Sequence, residues 1–476
     1  MENCEIKELI ESIAGKVIQG DRNCLINRIS IDSRTLIPGD LFFAIIGSNF
    51  DGHDFVFEAF NKGALGAVVC KGANTLLQNK QIGKDKIIIE VKDTLSALQG
   101  WSKHYKDKFN TINLCVTGSN GKTTTKEIIA HILSQEFPLL KTSGNYNNEI
   151  GIPLTLLQLH KSHKLLVTEM GMRGLGEIKT LTNFIHPHLS VITNIGEAHL
   201  GLLGSKDNIF RAKSELLQSL DKEGIAILNR DDSYFLQMWE VVKGKKVYTF
   251  GIENTSDIMA HHIRMVSDQG MRFILEIKDG EKREIYFPLL GRYNIYNALA
   301  ASAAAFALGT ELDSIERGLS SFKPLDLHMQ LRNFNKDIKI LNDSYNASPL
   351  SVKSALETFA EAAQNHRKIA ILGDMLELGE KTDFYHREIG KEVVKLSMDV
   401  LITIGQGGKI IAQSSQEEGM AKEKVFSFEK NEKLNLVQKL LNLTEPGDFI
   451  LLKGSREMKM EEILEFWQKE YKNNPT

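Results

Sequence analysis

"NLCVTGSNGKTTTKE", residues 113–127, decides how the rest of the chain is read. "LCVTG" is an apolar run of strand type, "SNG" a tight turn, and "KTTTKEIIAHIL" carries an apolar stripe at helical spacing. A strand, a glycine turn and a helix in that order bring backbone N–H groups to a helix start, where they can hold phosphate oxygens. The usual motif, G-x-x-x-x-G-K-[ST], needs a glycine five positions before Gly121, and Val116 stands there. The loop is therefore the shorter G-x-x-G-K-T, made of Gly118, Ser119, Asn120, Gly121, Lys122 and Thr123, with Thr124 following. In such a loop Lys122 can reach the β- and γ-phosphates and Thr123 can ligate Mg²⁺. A glycine turn that merely precedes a lysine-started helix explains the pattern less well.

Outward from this loop the same rhythm repeats. "KLLVTEMG", "LSVITNIG" and "GIAILNRDD" are apolar runs that end in polar or glycine residues, with helix-like stretches between them. Strands alternating with helices predict a parallel α/β sheet, whose ligands gather at the carboxyl ends of the strands. Glu169, Asn194 and Asp231 fall at those ends. "SSFKPLDLHMQLR" (320–332) contains Pro324, breaks the alanine-rich helical pattern before it, and reads as a linker. Beyond it "IKILNDSYN", "RKIAILGDM", "DVLITIGQGG" and "DFILLKGSR" restart the α/β rhythm as a second doubly wound, Rossmann-like unit. Ahead of residue 110 short strands and helices mix, with a Pro-Gly turn in "LIPGD" (36–40). The expected organisation is three α/β domains, 1–109, 110–322 and 323–476.

Bulk properties agree. A chain of 476 residues is too long for one core and suits three domains at about 150 residues each. A net charge of −3 lacks the basic excess of nucleic-acid-binding proteins. Cys4, Cys24, Cys70 and Cys115 are scattered with no C-x-x-C pair, which fits a reducing compartment and argues against structural zinc or a disulfide scaffold. Four acids in the first eleven residues and no apolar core there exclude a signal peptide or membrane span at the start. The expectation is a cytoplasmic protein.

Three downstream residues are candidates with bland alternatives. Glu169, ending "LLVTE", can face a nucleotide on the neighbouring loop, and Mg²⁺ needs only a few carboxylates besides waters and phosphates. A strand-end glutamate taken alone is more often a helix N-cap partner or a surface charge. His199 in "TNIGEAHL" reads as structural, and Lys213 in "FRAKSELLQSL" as an exposed helix lysine. Spacing alone stops at a phosphate-loop enzyme of unspecified reaction.

Taken together, "TGSNGKTTT", "NIGEAHLGLLGSKDNIFRAKSEL" and "GRYNIYNALAA" resemble the Mur ligase family, ATP-dependent amino-acid and peptide ligases of peptidoglycan synthesis. "TSGNYNNEIGIPLTLLQL", "TEMGMRGLGEI", "LNDSYNASPLSV", "ILGDMLELGE", "HREIG" and "LLKGSREMKMEEI" are most similar to the branch that adds D-alanyl-D-alanine to a UDP-N-acetylmuramoyl tripeptide. "SIDSRTLIPGDLFFAIIGSNFDGHDF" resembles that branch's uridine-nucleotide domain. The resemblance implies that Lys122 and Thr123 serve ATP and Mg²⁺, and that Glu169, His199 and a CO₂-carbamylated Lys213 hold metal, with two Mg²⁺ ions in all. It places Asn294 and Asn297 near the adenine and Asp343 near the ribose. Tyr345 and Asn346 would hold the dipeptide, and Ser33, Arg34, Asn147 and Asn148 would face the UDP-sugar peptide. One departure stands out: the family's phosphate arginine after the linker is replaced by His328, and Arg332 lies four residues later. The implied reaction runs through an acyl phosphate. The alternatives are another ligase of the superfamily (one adding the third peptide residue, or folylpolyglutamate synthase), an ATP-hydrolysing switch or motor, and a UDP-sugar-binding module.

Overall fold

The computed structural model describes residues 1–47, 49–72, 82–266, 268–334 and 337–473. Three large sheets follow one another along the chain. The first has five strands, in the spatial order Lys16–Gln19, Ile87–Val91, Gly66–Cys70, Leu41–Phe43, Ile29–Ser30. All but the first pair in parallel. The "LIPGD" turn feeds Leu41–Phe43, with Gly39 at φ +94°, a conformation glycine enters without steric cost.

The central sheet has nine strands. Ile112–Thr117 lies third from one edge, flanked by Leu165–Glu169 on one side and Leu189–Ile192 on the other. The chain leaves Ile112–Thr117 first toward Leu139–Lys141 and Leu165–Glu169, then crosses to Leu189–Ile192, Ile225–Asn229, Lys246–Gly251 and Ile258–Met265. That reversal makes the end of Ile112–Thr117 a topological switch point, where an open α/β sheet leaves a crevice. The phosphate loop begins there.

The sheet is not wholly parallel, as the sequence had suggested. Met271–Ile277 and Lys282–Phe287 add an antiparallel edge. Met271–Ile277 alternates buried and half-buried residues, as one face on the core and one toward water require. Under the sheet, the helix Lys122–Leu133 packs with Arg292–Ala307 and Leu312–Ser320 in one apolar cluster. Arg292–Ala307 is alanine-rich and buried along most of its length, as a helix sheathed on all sides should be.

The third sheet runs Gln330–Phe334, Ile338–Asp343, Phe449–Lys453, Lys368–Gly373, Val400–Ile404, Val425–Phe428. Here the linker reading needs correction: its last three residues belong to Gln330–Phe334, which pairs antiparallel with Ile338–Asp343. This edge strand has no buried residue, so it lacked the apolar signature. Among the described residues no helix is long and apolar enough to cross a membrane.

Candidate active site

A cavity of about 1600 Å³ opens where the phosphate loop faces the third sheet. Ser119 to Thr124 form one wall, and Asp343, Tyr345, Asn346 and Lys453 belong to the other.

The loop's geometry follows from its two glycines. Gly118 (φ +153°) and Gly121 (φ +79°) are in conformations that side chains resist. A Cβ at Gly118 would lie 1.9 Å from Thr193 Oγ1, and one at Gly121 2.2 Å from Asn297 Oδ1. The loop is also tied to the next strand end. Asn120 N donates to Asn194 Oδ1 (3.0 Å), Ser119 N donates to the Asn194 carbonyl (2.9 Å), and Thr193 Oγ1 donates to the Asn120 carbonyl (2.6 Å). The helix Lys122–Leu133 starts at Gly121, so its first N–H groups face the cavity.

Glu169 ends its strand almost inaccessible and is held by two donors: Thr123 Oγ1 on one carboxylate oxygen and Asn147 Nδ2 on the other, each at 2.7 Å. Three sequence-predicted residues thus meet in one cluster.

Two lysines converge on one carbonyl. Lys122 Nζ and Lys213 Nζ each donate to the Gly118 carbonyl at 2.8 Å. Lys213 is only 1% exposed, which overturns its reading as a surface lysine. Burial, and then the charge of Lys122, push its pKa well below the lysine norm. Burial also lowers Lys122, opposed by Glu169.

His199 (φ +64°) precedes the short helix Leu200–Leu203, and its Nδ1 lies 2.5 Å from Glu377 Oε2. That hydrogen bond is the main reason the Glu377 carboxyl sits below its usual range. Among the described residues no cluster of three or more His, Cys, Asp or Glu side chains could hold a metal ion. The site's oxygen donors nevertheless suit Mg²⁺, which takes few protein ligands: the Thr123 hydroxyl and the Glu169 carboxylate already touch. Lys213 as an amine is no ligand for it and would need conversion to a carboxylate.

On the same side Asn297 Nδ2 donates to Asn294 Oδ1 (3.0 Å), and both asparagines are buried. Across the cavity Asp343 accepts from Met329 N (3.1 Å) and pairs with buried Lys453. The Tyr345 ring lies 4.4 Å from that of His328, and Asn346 accepts from Lys453 Nζ through its carbonyl (3.1 Å). Asn148 caps the turn into Gly151–Leu156, its Oδ1 accepting from Gly151 N (2.8 Å).

Three predicted residues lie apart. Ser33 and Arg34 are on the first domain: Ser33 is buried, and Arg34 is exposed and paired with Asp32. Neither lines the cavity, and neither does Arg332, which stands on the edge strand bonded to Gln330 and near Asp326. His328 does line it. Sequence reasoning gave no role to Ser348, Glu377 or Lys453. Ser348 Oγ reaches the phosphate loop at Asn120 Oδ1 (2.9 Å). All three lie inside stretches that carried the resemblance, but their partners are on distant segments.

Family models match the chain in three blocks: "Mur ligase family, catalytic domain" over 25–106, "Mur ligase middle domain" over 116–305, and "Mur ligase, glutamate ligase domain" over 329–456. The UDP-N-acetylmuramoyl-tripeptide–D-alanyl-D-alanine ligase of Bacillus subtilis is 34% identical over 460 residues, 96% of this chain and 97% of that one. The chain belongs to the Mur ligase family. Among solved Mur ligases, MurF from Acinetobacter baumannii superposes with TM-score 0.87 at 31% identity, covering 98% of this chain and 99% of that one. MurF from Thermotoga maritima, solved in complex with ADP, gives 0.80 at 27% identity over 94% and 98% of the two chains. The resemblance and the three-domain α/β architecture are thereby borne out.

Proposed function

We propose that this Mur ligase joins D-alanyl-D-alanine to a UDP-N-acetylmuramoyl tripeptide with cleavage of ATP. The observation that carries this is the full-length likeness to ligases of that name, on a chain whose short phosphate loop faces a second domain across one cavity. The working unit is taken as a cytoplasmic monomer with domains 1–109, 110–322 and 323–476.

A carboxylate oxygen of the tripeptide attacks the γ-phosphorus of ATP; the bond to the β-phosphate oxygen breaks, leaving ADP and an acyl phosphate. The dipeptide amine then attacks the acyl carbon, inorganic phosphate leaves, and the amine gives up a proton. The N–H groups at the start of Lys122–Leu133 and the Lys122 ammonium bind the ATP phosphates. Asn294 and Asn297 take the adenine side and Asp343 the ribose. Tyr345 and Asn346 orient the dipeptide, while Asn147, Asn148, Ser33 and Arg34 face the UDP-sugar peptide. Orientation of three substrates is worth about 7–11 kcal/mol when geometry is right, and docking of the third domain keeps water from the acyl phosphate.

Thr123, Glu169, His199 and Lys213 are the residues that would hold two Mg²⁺ ions. Bound there, Mg²⁺ supplies charge that offsets the repulsion between the carboxylate and the triphosphate. The depressed pKa of Lys213 supplies the neutral amine needed to add CO₂, giving a carbamate and a released proton.

Phosphate release with UDP-muramoyl tripeptides ending in lysine or diaminopimelate, with and without D-alanyl-D-alanine, tests this. Release that depends on both acceptor and dipeptide is expected. Release stimulated by glutamate or a single diamino acid would point to another ligase of the superfamily, and release indifferent to all of them to a plain ATPase.

A further inference from the structure

We propose that Glu377 is a positioning residue for His199, so that the metal-binding face of the central domain is completed by a carboxylate from the C-terminal domain. This rests on reading His199 as a metal ligand. His199 Nδ1 and Glu377 Oε2 are 2.5 Å apart, on segments 178 residues distant in sequence. A carboxylate that accepts the Nδ1 proton fixes the imidazole tautomer, turning the Nε2 lone pair outward and making it a better donor. Both residues line the cavity.

The backbone shows that this contact is built rather than incidental. Gly201 N donates to the Glu377 carbonyl at 2.7 Å, so main chain as well as side chain of Glu377 grips the turn that carries His199. Gly201 and Gly379 meet face to face: a Cβ on Gly201 would come within 2.6 Å of Gly379 N, and one on Gly379 within 2.9 Å of Gly201 Cα. Only two glycines let the domains approach this closely. His199 and Glu377 themselves hold left-handed conformations, φ +64° and +62°, which a non-glycine residue keeps only where its surroundings enforce it. Strain on both partners of one hydrogen bond, locked by a glycine pair, is what a geometry set for function looks like.

The probe is Mn²⁺, followed through the electron paramagnetic resonance of the free ion, with the full chain and ADP. Glu377→Ala should weaken Mn²⁺ binding about 10–100-fold. Glu377→Gln, whose amide oxygen still accepts from Nδ1 but without the negative charge, should fall between the parent and Glu377→Ala. His199→Ala should weaken binding at least as much as Glu377→Ala, and the double variant no further. In ligation assays the Mg²⁺ needed for half-activation should rise while KM for the tripeptide holds. If Glu377→Ala does not fold by circular dichroism, Glu377→Leu, which keeps apolar bulk and has no acceptor, is read in its place. Parent-like Mn²⁺ binding in the folded variant overturns the proposal, and so does a Gln variant as weak as the Ala variant, or additive losses in the double. An unchanged His199→Ala removes the ligand role and this proposal together, but leaves dipeptide-dependent phosphate release, and hence the ligase reading, standing.

Discussion

Lys213, beneath the phosphate loop, and Lys453, on the C-terminal sheet, are both nearly inaccessible, at 1% and 3% exposure, yet they are treated in opposite ways. Lys453 is ion-paired with Asp343 and also donates to the Asn346 carbonyl at 3.1 Å. Lys213 meets the Gly118 carbonyl and, among the described residues, forms no ion pair. Burying a charge is tolerated where an opposite charge repays the lost hydration; without one, the group gives up its proton. The paired lysine is an architectural cation that pins Asp343 and the loop after it. The unpaired one has its pKa pushed well below the lysine norm by burial, which is the feature the proposed carbamylation draws on. A partner for Lys213 would make the site more stable and chemically inert.

The sharpest break of this contrast is Lys213→Ala. Under the proposed carbamylation, loss of the carbamate oxygens should lower kcat by about 10³-fold, since charge stabilisation of a transferring phosphoryl group is worth several kcal/mol. Acetate or formate should restore part of the rate by placing a carboxylate where the carbamate stood. Undiminished ligation in the alanine variant would show that Lys213 only fills space.

The reverse result is expected on the other wall. Asp343→Ala strands the buried Lys453 ammonium and should cost about 3–5 kcal/mol of stability, seen as an earlier unfolding transition of the C-terminal domain. Lys213→Ala should leave that transition in place. An Asp343 variant as stable as the parent would mean that Lys453 finds water or a carbonyl instead, and that the pair is not what holds this wall.

The two lysines also show what the sequence could and could not convey. The phosphate loop, its strand and its helix were legible because all their determinants are local: an apolar run, two glycines and an apolar stripe within residues 112–133. The C-terminal strands were legible for the same reason. The antiparallel edge Met271–Phe287 and the strand Gln330–Phe334 were not, because half-solvated edge strands carry little apolar signal. Burial of Lys213 was invisible to spacing, since it depends on where a carbonyl 95 residues away sits. Only the likeness to a family suggested a role for that residue, and nothing sequential could have named Glu377 as the partner of His199.

A gentler test reads the Lys213 proton directly. Below the ordinary lysine value of 10.5 the folded protein binds fewer protons at this site than the unfolded chain, so this group's contribution to stability rises with pH. Lys213→Met abolishes the site. In CO₂-free buffer it should be more stable than the parent at pH 7, with the margin shrinking as pH climbs toward 10.5. Calorimetric melting at several pH values measures it. A margin that widens with pH would mean the folded state binds the proton after all, and Lys213 would then resemble Lys453.

The smallest effects separate His328 from Arg332, the two residues near the position of the family's phosphate arginine. His328 lines the cavity, its ring 4.4 Å from that of Tyr345, and burial keeps its pKa below the histidine norm despite the neighbouring Asp343. A neutral imidazole can hydrogen-bond or stack but supplies no full charge, so it replaces only part of what an arginine would give to a phosphate. His328→Ala should raise KM for ATP by up to about 10-fold, the loss of one hydrogen bond or stacking contact. Arg332 is a half-exposed edge-strand residue held by Gln330 and Asp326, and its removal should leave KM for ATP within about 2-fold, as for most surface ion pairs. A larger rise for Arg332→Ala than for His328→Ala would require this edge strand to turn its guanidinium into the cavity when nucleotide binds. In that case the C-terminal wall would carry a mobile cation in addition to the pinned Lys453.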